Sequence, residues 1–328
     1  MENMIQSQEY EQKKKKLFRE FGVLVVLFAI IIVLSITAPA FLNPINIINV
    51  IRQAVEISIM AVGMTFVIVS AEIDLSVGSI FGATAMLAAT IMQQGFNPTI
   101  AFILAIALGM GIGFANGFLS TKVGMPAFIV TLGTMQLFRS VAYSISDGRS
   151  LSTFSDEQLN SWFFAMGNNV GPIPIQVIIM GLIYAVAIIV LLKTKFGFET
   201  YATGGNKRAA MLGGINTDAV KIKAFVICGA LCAFAATISI AYLKSVPTTA
   251  GQGREMDVIA AVILGGASLN GGRGSMFGTL LGAVIMSVIR NGMVLLHIPA
   301  FWQTGFIGAV IIVAVLIDTQ ITRRSKIK

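Results

Sequence analysis

The candidate ionisable residues for chemistry within the apolar stretches of this chain are Glu56, Glu72, Asp74, Asp257 and Arg290. Groups of this kind can carry a proton or sodium ion through a membrane. Each costs ~2.5–3.5 kcal/mol at a helix centre on insertion scales, so each is kept for a purpose. All five fall near the ends of the expected spans, which leaves little material for ion coupling. Arg52 and Glu56 stand four apart and are expected to pair on one helix face. Cys228 and Cys232 share that spacing in an apolar stretch without a neighbouring His or carboxylate. They read as two small buried residues, not metal ligands. The one histidine, His297, lies in LLHIPAFW at a span end, so no Ser-His-Asp set can be assembled. GGNKRAA and NGGRGS lack the Lys-Ser/Thr that would hold nucleotide phosphates and Mg²⁺. No catalytic residue and no metal ligand is assigned, and the chain is not expected to be an enzyme.

The second chemistry available is docking. From Lys193 to Lys223 runs KTKFGFETYATGGNKRAAMLGGINTDAVKIK, the longest polar and basic interruption in the chain. Within it, Asn206 can cap a short helix built from Ala209, Ala210, Met211 and Leu212, which Gly213-Gly214 would end. A helix this short is marginal in water alone and needs a surface to rest on. Its expected apolar side, Ala209, Ala210 and Leu212, suits a groove on a soluble partner. The alternative is a solvated loop between two spans.

The elements that hold these residues are membrane helices. Charged residues make up 12% of the chain against about 25% in globular proteins. Apolar runs of ~20 residues recur along it, so the expected fold is an all-α integral membrane protein with about ten transmembrane helices. The net charge of +8 sits in loops and tails, where it sets orientation and does not indicate nucleic acid. A basic segment, 1–20, precedes a retained signal anchor. One transmembrane domain covers 21–318, with spans near 21–38, 48–70, 75–93, 99–120, 126–145, 174–192, 224–243, 258–275, 276–295 and 304–318. The eighth is short or broken. The loop 146–173 is expected outside, with Trp162, Phe163 and Phe164 at the membrane interface. The basic stretch 193–223 and the tail 319–328 are expected inside, as are both termini.

An internal repeat is also legible. EID (72–74), NG (116–117) and PAF (126–128) recur in the same order as EMD (255–257), NG (291–292) and PAF (299–301). In the charge-based topology the two copies are inverted and five helices apart, a transporter architecture. Asp74 is placed to cap a helix beginning at Leu75, and Asp257 to cap another. The acidic residues Glu72, Asp74, Glu255 and Asp257 would otherwise hold the halves in register or line a vestibule. Gly265, Gly266, Gly271 and Gly272 allow close packing, a break in the eighth span, or flexing during gating.

EIDLSVGS, YATGGNKRAAMLGGIN, GREMDVIAAVILGGASLNGGRGSMFGTLLGA and NGMVLLHIPAFWQ resemble the membrane-spanning permease of ribose-type bacterial ABC sugar importers. The resemblance runs from about residue 40 to Asp318. It implies a multi-pass protein of the bacterial cytoplasmic membrane, paired with a second permease copy or a paralogue. Two cytoplasmic ABC ATPase subunits would carry ATP and Mg, leaving this chain without a cofactor. An extracytoplasmic sugar-binding protein would deliver the substrate, with Arg52, Glu56 and Arg254 as candidate contacts. The coupling helix maps onto Gly204, Gly205, Asn206, Lys207, Arg208, Ala209, Ala210, Met211, Leu212, Gly213 and Gly214. Lys207-Arg208 departs from a position that is often acidic or small in relatives. A self-sufficient carrier or channel, and an ABC permease for another small solute such as a branched-chain amino acid, are the competing readings.

Overall fold

The computed structural model describes residues 21–326, so the expectation for 1–20 lies outside the described residues. Its helices, in chain order, are α1 (Phe21–Thr37), α2 (Pro44–Val69), α3 (Val77–Gln93), α4 (Pro98–Thr121), α5 (Ala127–Ile145), α6 (Asp156–Leu159), α7 (Trp162–Ala165), α8 (Ile175–Lys193), α9 (Lys195–Gly205), α10 (Lys207–Leu212), α11 (Thr217–Leu243), α12 (Arg254–Leu264), α13 (Met276–Leu295) and α14 (Ala300–Lys326). The pair β1 (Asn169–Val170) and β2 (Ile173–Pro174) forms a small antiparallel hairpin before α8. Six of the helices are long and apolar enough to cross a membrane, and α1, α3 and α14 carry shorter apolar stretches.

α2 is the axis. Asn43 accepts from the Ile45 amide and Pro44 fixes the first turn, so the helix starts earlier than its hydropathy suggests. From Ala54 onward every residue of α2 is buried. Asn97 and Pro98 start α4 in the same way. α4 then crosses α11 at backbone distance. A methyl group on Gly109 would lie 2.4 Å from the Gly229 carbonyl oxygen, and one on Gly113 2.2 Å from that of Phe225. Small residues at this spacing are how helices approach closely in lipid, where no hydrophobic force drives them together.

Two short helices fill the centre. Of the 17 residues of α3 and the 11 of α12, most are buried. At 1.5 Å per residue α12 is about 16 Å long, roughly half a ~30 Å hydrocarbon core. Cross-links sort the connections into two ends. At one end Gly272 donates to the Val69 carbonyl (2.8 Å) and Lys122 meets Asp218 (3.2 Å). At the other, Leu151 bridges to Val246, Gln158 donates to the Met92 carbonyl (2.7 Å), and Asn46 bonds Asn291.

The loop 146–173 is not the interfacial belt expected of it. Phe163 and Phe164 are buried, at 0% and 1% exposure, and pack on one another at 5.2 Å. Trp162 alone stays half-exposed, its indole N–H donating to Thr99 Oγ1. Two adjacent aromatics on a four-residue helix cannot both face lipid while its other side closes over α4 and α11.

Candidate functional site

At the α10 end, Asn206 accepts from the Ala209 amide at 3.0 Å, and α10 stops at Gly213. The cap and stop match the sequence reading, but the exposed side does not. Ala210 is buried, whereas Ala209, Met211 and Leu212 face out, Leu212 with 84% of its surface free. Six residues make too few turns for sequence periodicity to fix a face. Lys207 and Arg208 are exposed beside them, with the Lys207 ammonium 4.0 Å from Asp218.

α9, read as loop in the sequence, carries α10. Its last turn is wedged into the bundle. A methyl group on Gly204 would stand 1.8 Å from the Val69 carbonyl oxygen and 2.6 Å from the Gly272 amide. One on Gly272, where φ is +70°, would stand 2.6 Å from Gly205 Cα. Tyr201 donates to the Gly274 carbonyl at 2.8 Å. Three backbones therefore meet without intervening side chains: the end of α9, the end of α2, and the 265–275 loop. The glycines assigned separately to coupling and to gating form one joint. Gly265 serves elsewhere, at the α12–α13 crossing against Gly278, and Gly266 ends α12 at φ +87°.

The acidic triplets settle differently from their expected capping roles. Glu72 pairs with Lys221 on α11. Asp74 is fully buried and accepts from the Ser76 amide and hydroxyl, so the helix begins two residues later than expected. Ser76 receives Asn116 at 2.9 Å, and Asn116 receives Thr134 at 2.7 Å, tying α3 to α4 and α5. Asp257 caps nothing: Gly253 is the N-cap of α12, and Asp257 sits in the first turn, where its charge suits the helix dipole.

That first turn is a hub. Arg254 meets Glu56 on α2 at 2.7 Å, Glu255 meets Arg139 on α5 at 3.9 Å, and Asp257 meets Arg290 on α13 at 2.7 Å. The expected Arg52–Glu56 pair does not form. Arg52 instead lies over the Tyr242 ring at 4.1 Å and donates to Asn169. Because α2 starts at Pro44, Glu56 is twelve residues in, about 18 Å along the axis and near its middle. Glu56 is thus deep in the bundle and not at a span end, and it is reached by Arg254 from the first turn of the short α12. Arg139 was not singled out, although an arginine inside FIVTLGTMQLFRSVAYSI is the signal that could have found it.

Beside this hub, a cavity of about 710 Å³ opens toward the end opposite α10. Asn49, Arg52, Gln53, Glu56, Arg254 and Arg290 are among its walls. Cys228 and Cys232 lie away from it, both free and buried, with Gly63 packed on Cys228. Among the described residues no cluster of His, Cys, Asp and Glu could hold a metal ion.

The family model described as branched-chain amino acid transport system / permease component matches residues 46–315. The ribose import permease RbsC of Bacillus subtilis (strain 168) is 40% identical over 302 residues, 92% of this chain and 93% of that protein. RbsC of Escherichia coli (strain K12) is 40% identical over 298 residues, 90% and 92% of the two chains. The autoinducer 2 import permease LsrC of Photorhabdus luminescens is 36% identical, over 91% and 89%. Among solved structures, an ABC transporter chain of metal-chelate type in an inward-facing conformation superposes with a TM-score of 0.50 at 14% identity, covering 90% of this chain and 99% of that one. That last likeness concerns the fold.

Proposed function

The chain belongs to the branched-chain amino acid transport system / permease component family, and on that premise we propose that it is the membrane-spanning subunit of an ATP-driven importer for a ribose-like monosaccharide. It is a transport subunit and not an enzyme; hydrolysis belongs to separate ATPase subunits, where ATP and Mg are expected. It is a multi-pass protein of the bacterial cytoplasmic membrane. The family description names amino acids, while relatives at 40% identity over nine-tenths of the chain name ribose, so the sugar reading is preferred.

The observation that carries the coupling is α10, with Met211 and Leu212 exposed beside Lys207 and Arg208, and the last turn of α9 just before it wedged through Gly204 onto α2. In this reading the α10 end faces the cytoplasm and residues 204–214 receive the ATPase. Closure of the ATPase pair pushes α9 against the end of α2 and the 265–275 loop, and the bundle opens alternately to each side. Ten membrane passes, with α12 and the loop after it as a broken one, return both termini to the cytoplasm. EID and EMD, each opening a short buried helix, are the marks of an inverted repeat. A second copy or a paralogue completes the permease. A binding protein docks at the opposite end; of its expected contacts Arg52, Glu56 and Arg254, Glu56 is buried against Arg254 and lines the cavity, not the docking surface itself.

The test is reconstitution with the cognate ATPase in nanodiscs, comparing wild type with Met211→Glu/Leu212→Glu. Loss of ATPase binding and of permease-dependent hydrolysis, with the permease still folded, is expected. Unchanged binding would place docking elsewhere and sink the coupling assignment.

The deep ion pairs give the carrier reading one observation in its favour. Glu56 and Asp257 are each held by an arginine, however, which leaves neither free for a coupling ion; Asp74, buried on Ser76 with no cation paired to it among the described residues, is the carboxylate that reading would have to use. Uptake by vesicles holding this chain alone, driven by an ion gradient, would reverse that preference.

A further inference from the structure

We propose that the 710 Å³ cavity is a binding site for an uncharged polyhydroxylated solute, contained within a single copy of the chain. Its volume lies in the ~300–1,000 Å³ range of small-molecule sites. What it can recognise follows from its walls. Asn49 and Gln53 supply carboxamides and Ser239 a hydroxyl, each able both to donate and to accept. A sugar hydroxyl has the same double capacity. The floor includes Phe81, Ala85 and Ala236, apolar surface suited to the C–H face of a ring.

The charges on the walls are already matched. Glu56 holds Arg254, Asp257 holds Arg290, and the Arg52 guanidinium is spread over Tyr242. A cation or anion entering here would have to break one of these pairs, and leaving the other partner unpaired in a buried site is strongly unfavourable. A neutral polyol keeps them intact. It can also use what they leave over: Arg52 Nε, Arg254 Nη1 and Arg290 Nε have no protein acceptor among the described residues. A small turn of these side chains would present three N–H groups to solute oxygens. Donors that end without partners inside a protein are costly, so a solute rich in acceptors relieves what the bare walls cannot.

The inference rests on the monosaccharide reading above, and the two can fail separately. Cysteines are placed one at a time at Thr249 and Val294, which line the cavity without being assigned to recognition, and at Thr153, exposed at the same end outside it. The native Cys228 and Cys232 are fully buried and should contribute little background. The rate of modification by a membrane-impermeant thiol reagent is then measured on the reconstituted permease with D-ribose, with leucine, or with neither. With ribose at about ten times its Kd, modification at positions 249 and 294 should slow about tenfold, because only the empty site reacts. Position 153 should not respond, and leucine should not protect. Unprotected labelling at 249 and 294, equal slowing at 153, protection by leucine and not ribose, or no labelling at either cavity position would each overturn the site. ATP-driven ribose uptake by the wild-type complex judges the transport reading independently.

Discussion

The two ends of α2 are fastened in opposite ways. At its middle and the cavity end, contacts to α12 run through long side chains of opposite charge. At its other end, contacts to α9 and the 265–275 loop run through bare backbone at glycines. Charged pairs are directional and have two separable members. Either can be removed, and a loss on one side can be compensated on the other. A glycine contact has no second member to adjust, because the group it would strike is a carbonyl or an amide. The first arrangement suits a surface that must adapt to a visiting solute. The second suits a joint that must pass on a displacement without yielding.

The largest effect is expected from Asp257→Ala, which strands Arg290 beside a fully buried position. Breaking such a pair costs about 3 kcal/mol, the lower part of the range for buried pairs, because Arg290 is partly exposed. Thermal unfolding in detergent should show it. Adding Arg290→Leu should recover much of the loss; if the double variant is no better than the single, the pair is not what holds α12 to α13.

Gly204→Ala comes next, with overpacking of about 1–3 kcal/mol. Its sharper signature is functional: ATP hydrolysis should persist while solute uptake falls, and no side-chain substitution at Val69 should rescue it, since the struck atom is a carbonyl oxygen. Rescue by Val69→Ala would break the comparison. Asn206→Ala removes the α10 cap and should cost about 1 kcal/mol of local helix stability, read as faster amide exchange across Lys207–Leu212. The smallest effect belongs to Lys122→Ala. Its pair with Asp218 is half-exposed, so a change of at most about 0.5 kcal/mol is expected, diminishing further in high salt.

Which of these features the sequence disclosed depended on the range of the forces involved. The long helices, the Asn206 cap and the glycine stop of α10 are local and were legible. So was the break after α12, since Gly265 and Gly266 end an apolar run too short to span. Glu56–Arg254 joins residues far apart in the chain, and the local i,i+4 rule offered Arg52 in its place. α9 was hidden because KFGFETYATGG lies in a polar run and ends in two glycines, signals that elsewhere mark a loop. Its glycines are there to let the helix touch α2. The burial of Ala210 and of Phe163 and Phe164 was set by what packs over them, which no short window of sequence records.

The bare end of α10 has a consequence for how much of this protein a cell can keep. A leucine with 84% of its surface free, next to a half-exposed methionine, resembles the mark of an unfinished subunit. Proteases and chaperones that patrol the membrane read such marks. The supply of the ATPase is therefore expected to cap the supply of the permease: in a pulse-chase experiment, permease made without its ATPase should decay faster than permease made with it, and Leu212→Ser should slow that decay.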